Sequence, residues 1–145
     1  MSDVCIAVVG ATGAVGREMI AVLEERGLPL ERVRLLASAN SAGEYLEVGG
    51  REVVVEELKE DSFKGIDIAL FSAGGDTSKH FSPLAAKAGT VVVDNSSAFR
   101  MDSSVPLIVP EVNSEVLRKV LRSLSRDAGC IIANPNCSKI GRAHV

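Results

Sequence analysis

Apolar residues in this chain recur in two rhythms. The short runs "VCIAVV" (4–9), "IDIALFSA" (66–73), "TVVVDNSS" (90–97) and "CIIANP" (130–135) are nearly continuous and rich in β-branched side chains, which suits strands covered on both faces. "RVRLLAS" (32–38) reads as another strand, and "EYLEVGGREVVVEEL" (44–58) as a hairpin turning at Gly49-Gly50. The second rhythm is helical. Val15, Met19, Ile20, Val22 and Leu23 are spaced for one face of a helix ending at Arg26, and Gly27 and Pro29 stop it. A second helix is predicted over 76–88, where Pro83 implies a kink or a late start, and a third over 114–124 with Ser114 as its N-cap. Strands alternating with helices predict an α/β fold: a doubly wound, mostly parallel sheet with flanking helices and right-handed crossovers.

Composition narrows the function classes. A chain of 145 residues with 46% apolar and 24% charged residues matches one globular domain. A formal charge of −3 offers no basic footprint for nucleic acid. No apolar run approaches the roughly 18 residues of a membrane span, and the N-terminus lacks the basic region and cleavage site of a signal peptide. No membrane partner and a cytoplasmic location are therefore expected. The three cysteines include no CxxC pair, so free thiols and no metal site are predicted; Cys5 and Cys130, inside strands, read as core thiols.

In such a fold, ligands collect at the carboxyl ends of the strands. The first loop there is Gly10-Ala11-Thr12-Gly13-Ala14-Val15-Gly16, a GxxGxxG spacing between strand and helix. Gly10 permits the tight turn, Gly13 lets backbone approach a pyrophosphate, and Gly16 permits close helix–strand packing, with the anion at the helix N-terminus. Three glycines also fit an ordinary turn, but their place after the first buried strand favours the dinucleotide. An NAD site usually carries an acid about 20 residues further on. Here the second strand ends "LLASANSAG", with Ser38, Asn40 and Ser41 and no carboxylate before Glu44. Small hydroxyls there suit a 2′-phosphate, so NADP is favoured over NAD, although no Lys or Arg occurs between Arg34 and Arg51. Ser72, Ala73, Gly74 and Gly75 in "FSAGGD" are small enough for a nicotinamide ribose to lie on the backbone. "DNSSAFR" places Asn95, Ser96, Ser97 and Arg100 after another buried strand; Arg100 suits bidentate binding of phosphate, or is a solvated surface arginine.

Read in order, GATGAVG, LLASANSAG, FSAGG, VDNSSAFR and ANPNCS resemble the aspartate-semialdehyde dehydrogenase family, over nearly the whole chain from Ile6 to Ser138. The resemblance implies a Rossmann-like cofactor domain for NADP over residues 1–138. The implied reaction is the NADPH-dependent reduction of β-aspartyl phosphate to aspartate β-semialdehyde, leading towards lysine, methionine and threonine. Cys137 matches the family nucleophile, with Asn136 beside it to position substrate or donate to an oxyanion. Arg100 matches the phosphate-binding arginine, and Asn95, Ser96 and Ser97 lie where the family contacts cofactor and substrate phosphate. Asn40 stands where an arginine is common in the "SARSAG" form of its turn. The related N-acetyl-glutamyl-phosphate reductases share the cysteine but usually precede it with Asn-Pro-Gly; a dinucleotide-binding module without turnover is the other alternative. The family assembles as homodimers or homotetramers through a second domain, which also supplies the general base.

After Ser138 the likeness stops. Residues 139–145, "KIGRAHV", read as the translation of a sequencing adapter rather than as protein. The expectation is a non-native tail carrying no site residue, with the substrate and dimerisation domain absent and no turnover by the chain as written. The pairing of Cys137 with His144 is rejected, because the resemblance implies a general base from the second domain.

Overall fold

The chain is described by a computed structural model covering residues 4–125 and 128–135. Its elements run β1 (Ile6–Val9), α1 (Ala14–Glu25), β2 (Arg34–Ala37), β3 (Tyr45–Val48), β4 (Arg51–Glu57), β5 (Ile68–Phe71), α2 (Gly75–Lys87), β6 (Val91–Asp94), α3 (Pro110–Ser123) and β7 (Cys130–Ala133). The strands form one sheet in the order β3-β4-β2-β1-β5-β6-β7, parallel except where β3 pairs with β4. The alternation therefore yields the doubly wound sheet expected of it, and the hairpin turns where Gly49 and Gly50 take φ of 59° and 82°.

Both faces of the central strands are apolar because both are covered. Ile6, Val8 and Leu35 pack with Ile20 and Leu23 of α1 on one side. Ala7, Val9, Leu36, Phe71 and Val92 pack with Phe63 and Ala85 on the other. The second cluster rests partly on the connection between β4 and β5, which Arg34 fastens. Its guanidinium grips Glu56 through two bonds of 3.1 and 2.9 Å and donates to Ser62 O at 2.9 Å.

Three local expectations change. α2 runs through Pro83 from Gly75 to Lys87, with that residue on the exposed side. α3 begins at Pro110, after Val109 as N-cap, and not behind Ser114. Proline fits this first position because its φ is preset and its missing N–H would have been unpaired. The predicted start survives as an internal break at Asn113 (φ −135°), whose side chain accepts from Val109 N and donates to Leu107 O. On α1, Val15 and Val22 are 48% and 37% exposed, so the buried stripe narrows to Gly16, Ile20 and Leu23.

Candidate functional site

Parallel strands in register end at one level, and that places the loops. Val9 is paired with Phe71, Phe71 with Asp94, and Asp94 with Ala133. Gly10, Ser72, Asn95 and Asn134 thus leave the sheet in a row, spread over three strand spacings of roughly 4.8 Å each. β2 ends beside this row, where Gly10 N and Ala11 N donate to Leu36 O.

In the glycine loop, Gly10 has φ of 84°, and a Cβ there would lie 2.9 Å from Ser72 Oγ. A Cβ on Gly16 would lie 2.1 Å from Gly10 O, so helix and loop touch backbone to backbone. A Cβ on Gly13 would meet only Gly10 O at 3.6 Å, an ordinary contact, so this glycine is not required by the fold. Gly13 is the N-cap of α1 without a side-chain cap, and no acid occupies the first turn. The N–H groups of Ala14 and Val15, both exposed, belong to that uncapped turn, the arrangement that takes an anion.

Two hydroxyl links hold neighbouring loops to this one. Thr12 Oγ1 donates to Ser41 Oγ at 3.1 Å, tying the glycine loop to the turn after β2, where Ser38 and Asn40 are exposed. Ser72 Oγ donates to Val9 O at 2.9 Å, stitching β5 to β1. Between them lies a cleft of about 370 Å³ walled by Gly10, Gly13, Ser38, Ser72 and Ala73, with Leu58, Thr77 and Phe81 completing it. Sequence reading missed those last three. Leu58 follows β4 and Thr77 and Phe81 lie on α2, so only the fold brings them here. Gly74, with φ of 93°, caps α2, and Ser97 Oγ comes within 3.9 Å of where a Cβ on Gly75 would stand.

The loop after β6 is organised by the carboxylate that opens "DNSSAFR". Asp94 is fully buried; its carboxylate accepts Ser96 N at 2.9 Å and Ser96 Oγ at 2.8 Å. Both Ser96 donors are thereby used within the turn, and its oxygen accepts Ala98 N. A phosphate needs donors; among the described residues the hydroxyl of this loop without a hydrogen-bond partner is that of Ser97, and the charge is that of Arg100. Arg100 is no solvated surface residue. Its Nε donates to Asn134 O at 2.7 Å and its Nη2 to Asn95 O at 2.9 Å, bridging the ends of β6 and β7. Of five guanidinium donors, two are so fixed among the described residues, and the others keep a set orientation. Arg100→Ala is expected to lower stability by about 1–3 kcal/mol, measured as a shift of the urea midpoint, where an unattached surface arginine would change it by under ~0.5 kcal/mol.

Asn136 and Cys137 lie outside the described residues, as do 139–145 and His144. Described structure reaches Pro135, directly after Asn134, whose N–H donates to Asp94 O. Cys5 and Cys130 are free. Cys5 is buried and donates to Arg32 O, and burial raises the thiol pKa of both Cys5 and Cys130. His80 is exposed and paired with Glu60 at 3.2 Å. None of the described helices is long and apolar enough to cross a membrane.

Comparison with known proteins gives concordant results. The family described as "Semialdehyde dehydrogenase, NAD binding domain" matches residues 5–120. The aspartate-semialdehyde dehydrogenase of Aquifex aeolicus is 56% identical over 136 residues, covering 93% of this chain and 38% of the relative. That of Bacillus subtilis is 49% identical over 135 residues, covering 93% and 37%. Among solved structures, aspartate semialdehyde dehydrogenase II of Vibrio cholerae superposes with a TM-score of 0.84 at 46% identity, over 95% of this chain and 43% of that one. The Candida albicans enzyme with NADP gives 0.76 at 29% identity, over 97% and 44%. The chain thus spans about 38% of the length of the curated relatives it matches.

Proposed function

The chain belongs to the semialdehyde dehydrogenase family through its NAD-binding domain, and on that premise we propose that it is the cofactor domain of an NADP-dependent aspartate-semialdehyde dehydrogenase. The observation that carries this reading is the row of loops. Gly10, Ser72, Asn95 and Asn134 leave adjacent parallel strands at one level, with an uncapped helix N-terminus at one end and the segment leading to Cys137 at the other.

The residues present fit a dinucleotide. Gly10, Thr12, Gly13, Ala14, Val15 and Gly16 would hold the pyrophosphate, because the first turn of α1 offers N–H groups and Gly13 presents no side chain. Ser38, Asn40 and Ser41 would face the 2′-phosphate end. Ser72 to Gly75 and Asn95 would bed the nicotinamide ribose, with the small residues allowing close approach. Bound there, the nicotinamide supplies a hydride.

Cys137 is proposed as the nucleophile. Its thiolate would attack the carbonyl of an acyl phosphate, expel phosphate and become a thioester, and it would be the leaving group when that thioester is reduced to the aldehyde. Asn136 would steady the carbonyl oxygen. Arg100, with Ser97, would bind the departing phosphate, since its remaining donors are aimed by the carbonyls that grip the others. Ser96 supports this loop through Asp94. The catalytic activity, the acyl-phosphate and semialdehyde substrates, the assembly as homodimer or homotetramer and the cytoplasmic location are proposed for a polypeptide of the relatives' full length.

Titration of this chain with NADPH and with NADH by calorimetry tests the cofactor assignment. Binding of both is expected, with NADPH the tighter by roughly tenfold, about the 1.4 kcal/mol of one net charge-assisted contact. Equal affinities, or tighter NADH, would refute the preference. Binding of neither would remove the cofactor role.

A further inference from the structure

The turn after β2 presents hydroxyls but no cation. Arg34, four residues before Ser38, sits at the opposite end of its strand and is held by Glu56 and Ser62 O. Arg51 opens the neighbouring strand at that same far edge and is bound to Leu30 O and Glu31 O at 2.7 and 2.6 Å. Among the described residues, the wall of the cleft beside Ser38 contains no charged side chain.

Arg17 approaches from the helix instead. Its Nε donates to Thr12 O at 3.0 Å, and the hydroxyl of the same Thr12 donates to Ser41 Oγ at 3.1 Å. One residue therefore joins the guanidinium to the turn that lacks a charge. The side chain is exposed and forms no ion pair with an acid among the described residues; Glu47 only shares a shallow surface cleft with it. A cation in the first turn of a helix opposes the helix dipole, and no acid in that turn of α1 offsets it. A bound anion would.

We propose that Arg17 is the residue that makes this domain prefer a dinucleotide bearing a 2′-phosphate, supplying from α1 the charge that Asn40 does not. The inference rests on the cofactor assignment made above. Thr12 acts as the brace that holds the guanidinium towards Ser41, and four of the five guanidinium donors remain for phosphate.

The test is calorimetric titration of the wild-type chain, Arg17→Gln, Arg17→Lys and the double variant Arg17→Gln/Asn40→Arg with NADPH and NADH, at low and high salt. Arg17→Gln is expected to weaken NADPH binding tenfold or more and NADH less than twofold, and to flatten the salt dependence of the ratio between them. Lysine should keep part of the preference, and arginine at position 40 should restore it. Circular dichroism identifies a variant that has failed to fold, which an exposed position makes easy to avoid. Equal weakening of both cofactors would overturn the proposal in favour of a pyrophosphate contact or a bracing role, and unchanged ratios would make Arg17 a surface residue. Failure of the wild-type chain to bind either cofactor would overturn the cofactor assignment, and this inference with it.

Discussion

Gly16→Ala is expected to cost the domain about 3 kcal/mol or more, the upper range for forcing a methyl group into packed structure. The added carbon would sit 2.1 Å from Gly10 O and 2.9 Å from Ala11 Cα, and both obstacles are backbone. Neither can rotate away. Relief requires α1 to lift from the sheet, which would part Ile20 and Leu23 from Val8 and Leu35, or the loop to leave Leu36 O. In a domain of this length that corresponds to a fall of roughly 10 °C in melting temperature. Gly13→Ala is the control. Its Cβ meets nothing closer than 3.6 Å, so the melting temperature should hold within a few degrees while NADPH affinity drops, because the methyl group stands where a pyrophosphate would approach. A stable Gly16→Ala protein would show that helix and loop are not in the contact described.

Cys137→Ala, in a polypeptide of the relatives' full length, is expected to reduce acyl-phosphate turnover by about ten-thousand-fold or more, the scale of losing a covalent nucleophile. NADPH affinity should be unchanged, since the thiolate acts on substrate alone. Neither of the two described thiols of this chain is placed to substitute. Cys5 directly precedes β1 and is buried with Ala7 and Val9, and Cys130 opens β7 about 13 Å below Asn134, at four residues of roughly 3.3 Å each. Burial raises the pKa of both, so they carry less thiolate than a free cysteine. Rapid-quench detection of a thioester in the wild-type protein, absent in Cys137→Ala, checks the assignment; activity within tenfold of wild type would exclude Cys137 as nucleophile.

What the sequence made legible followed from physics that is local. The β-branched runs, the Gly49-Gly50 hairpin and the glycine loop each need only neighbouring residues, and each was found where read. α3 was misplaced because Ser114 is a good N-cap by type, while Pro110 and the side chain of Asn113 offered a longer solution that depends on Leu107 and Val109. The site was legible in its loops but not in its links. Nothing in "DNSSAFR" announces that Asp94 takes up both donors of Ser96, or that Arg100 reaches 34 residues on to Asn134 O. Leu58, Thr77 and Phe81 escaped notice for the same reason: they border the cleft through the crossover geometry and carry no motif.

The position of β1 also governs the order of assembly. It precedes the other strands of the sheet in sequence, yet it lies inside the sheet, and its partner on one side, β5, begins 62 residues after it, with Ile6 opposite Ile68. Its other partner, β2, arrives with α1 and forms a local unit in which β1 still has one open edge. Ordering the chain between such distant partners costs entropy before their contacts repay it, which places the domain among slow-folding topologies. The Ser72–Val9 bond that closes the cleft is likewise a contact across 63 residues. The nascent chain can therefore display its glycine loop long before it has a place to hold a nucleotide, and β1 is the segment that a chaperone would have to shield in the interval.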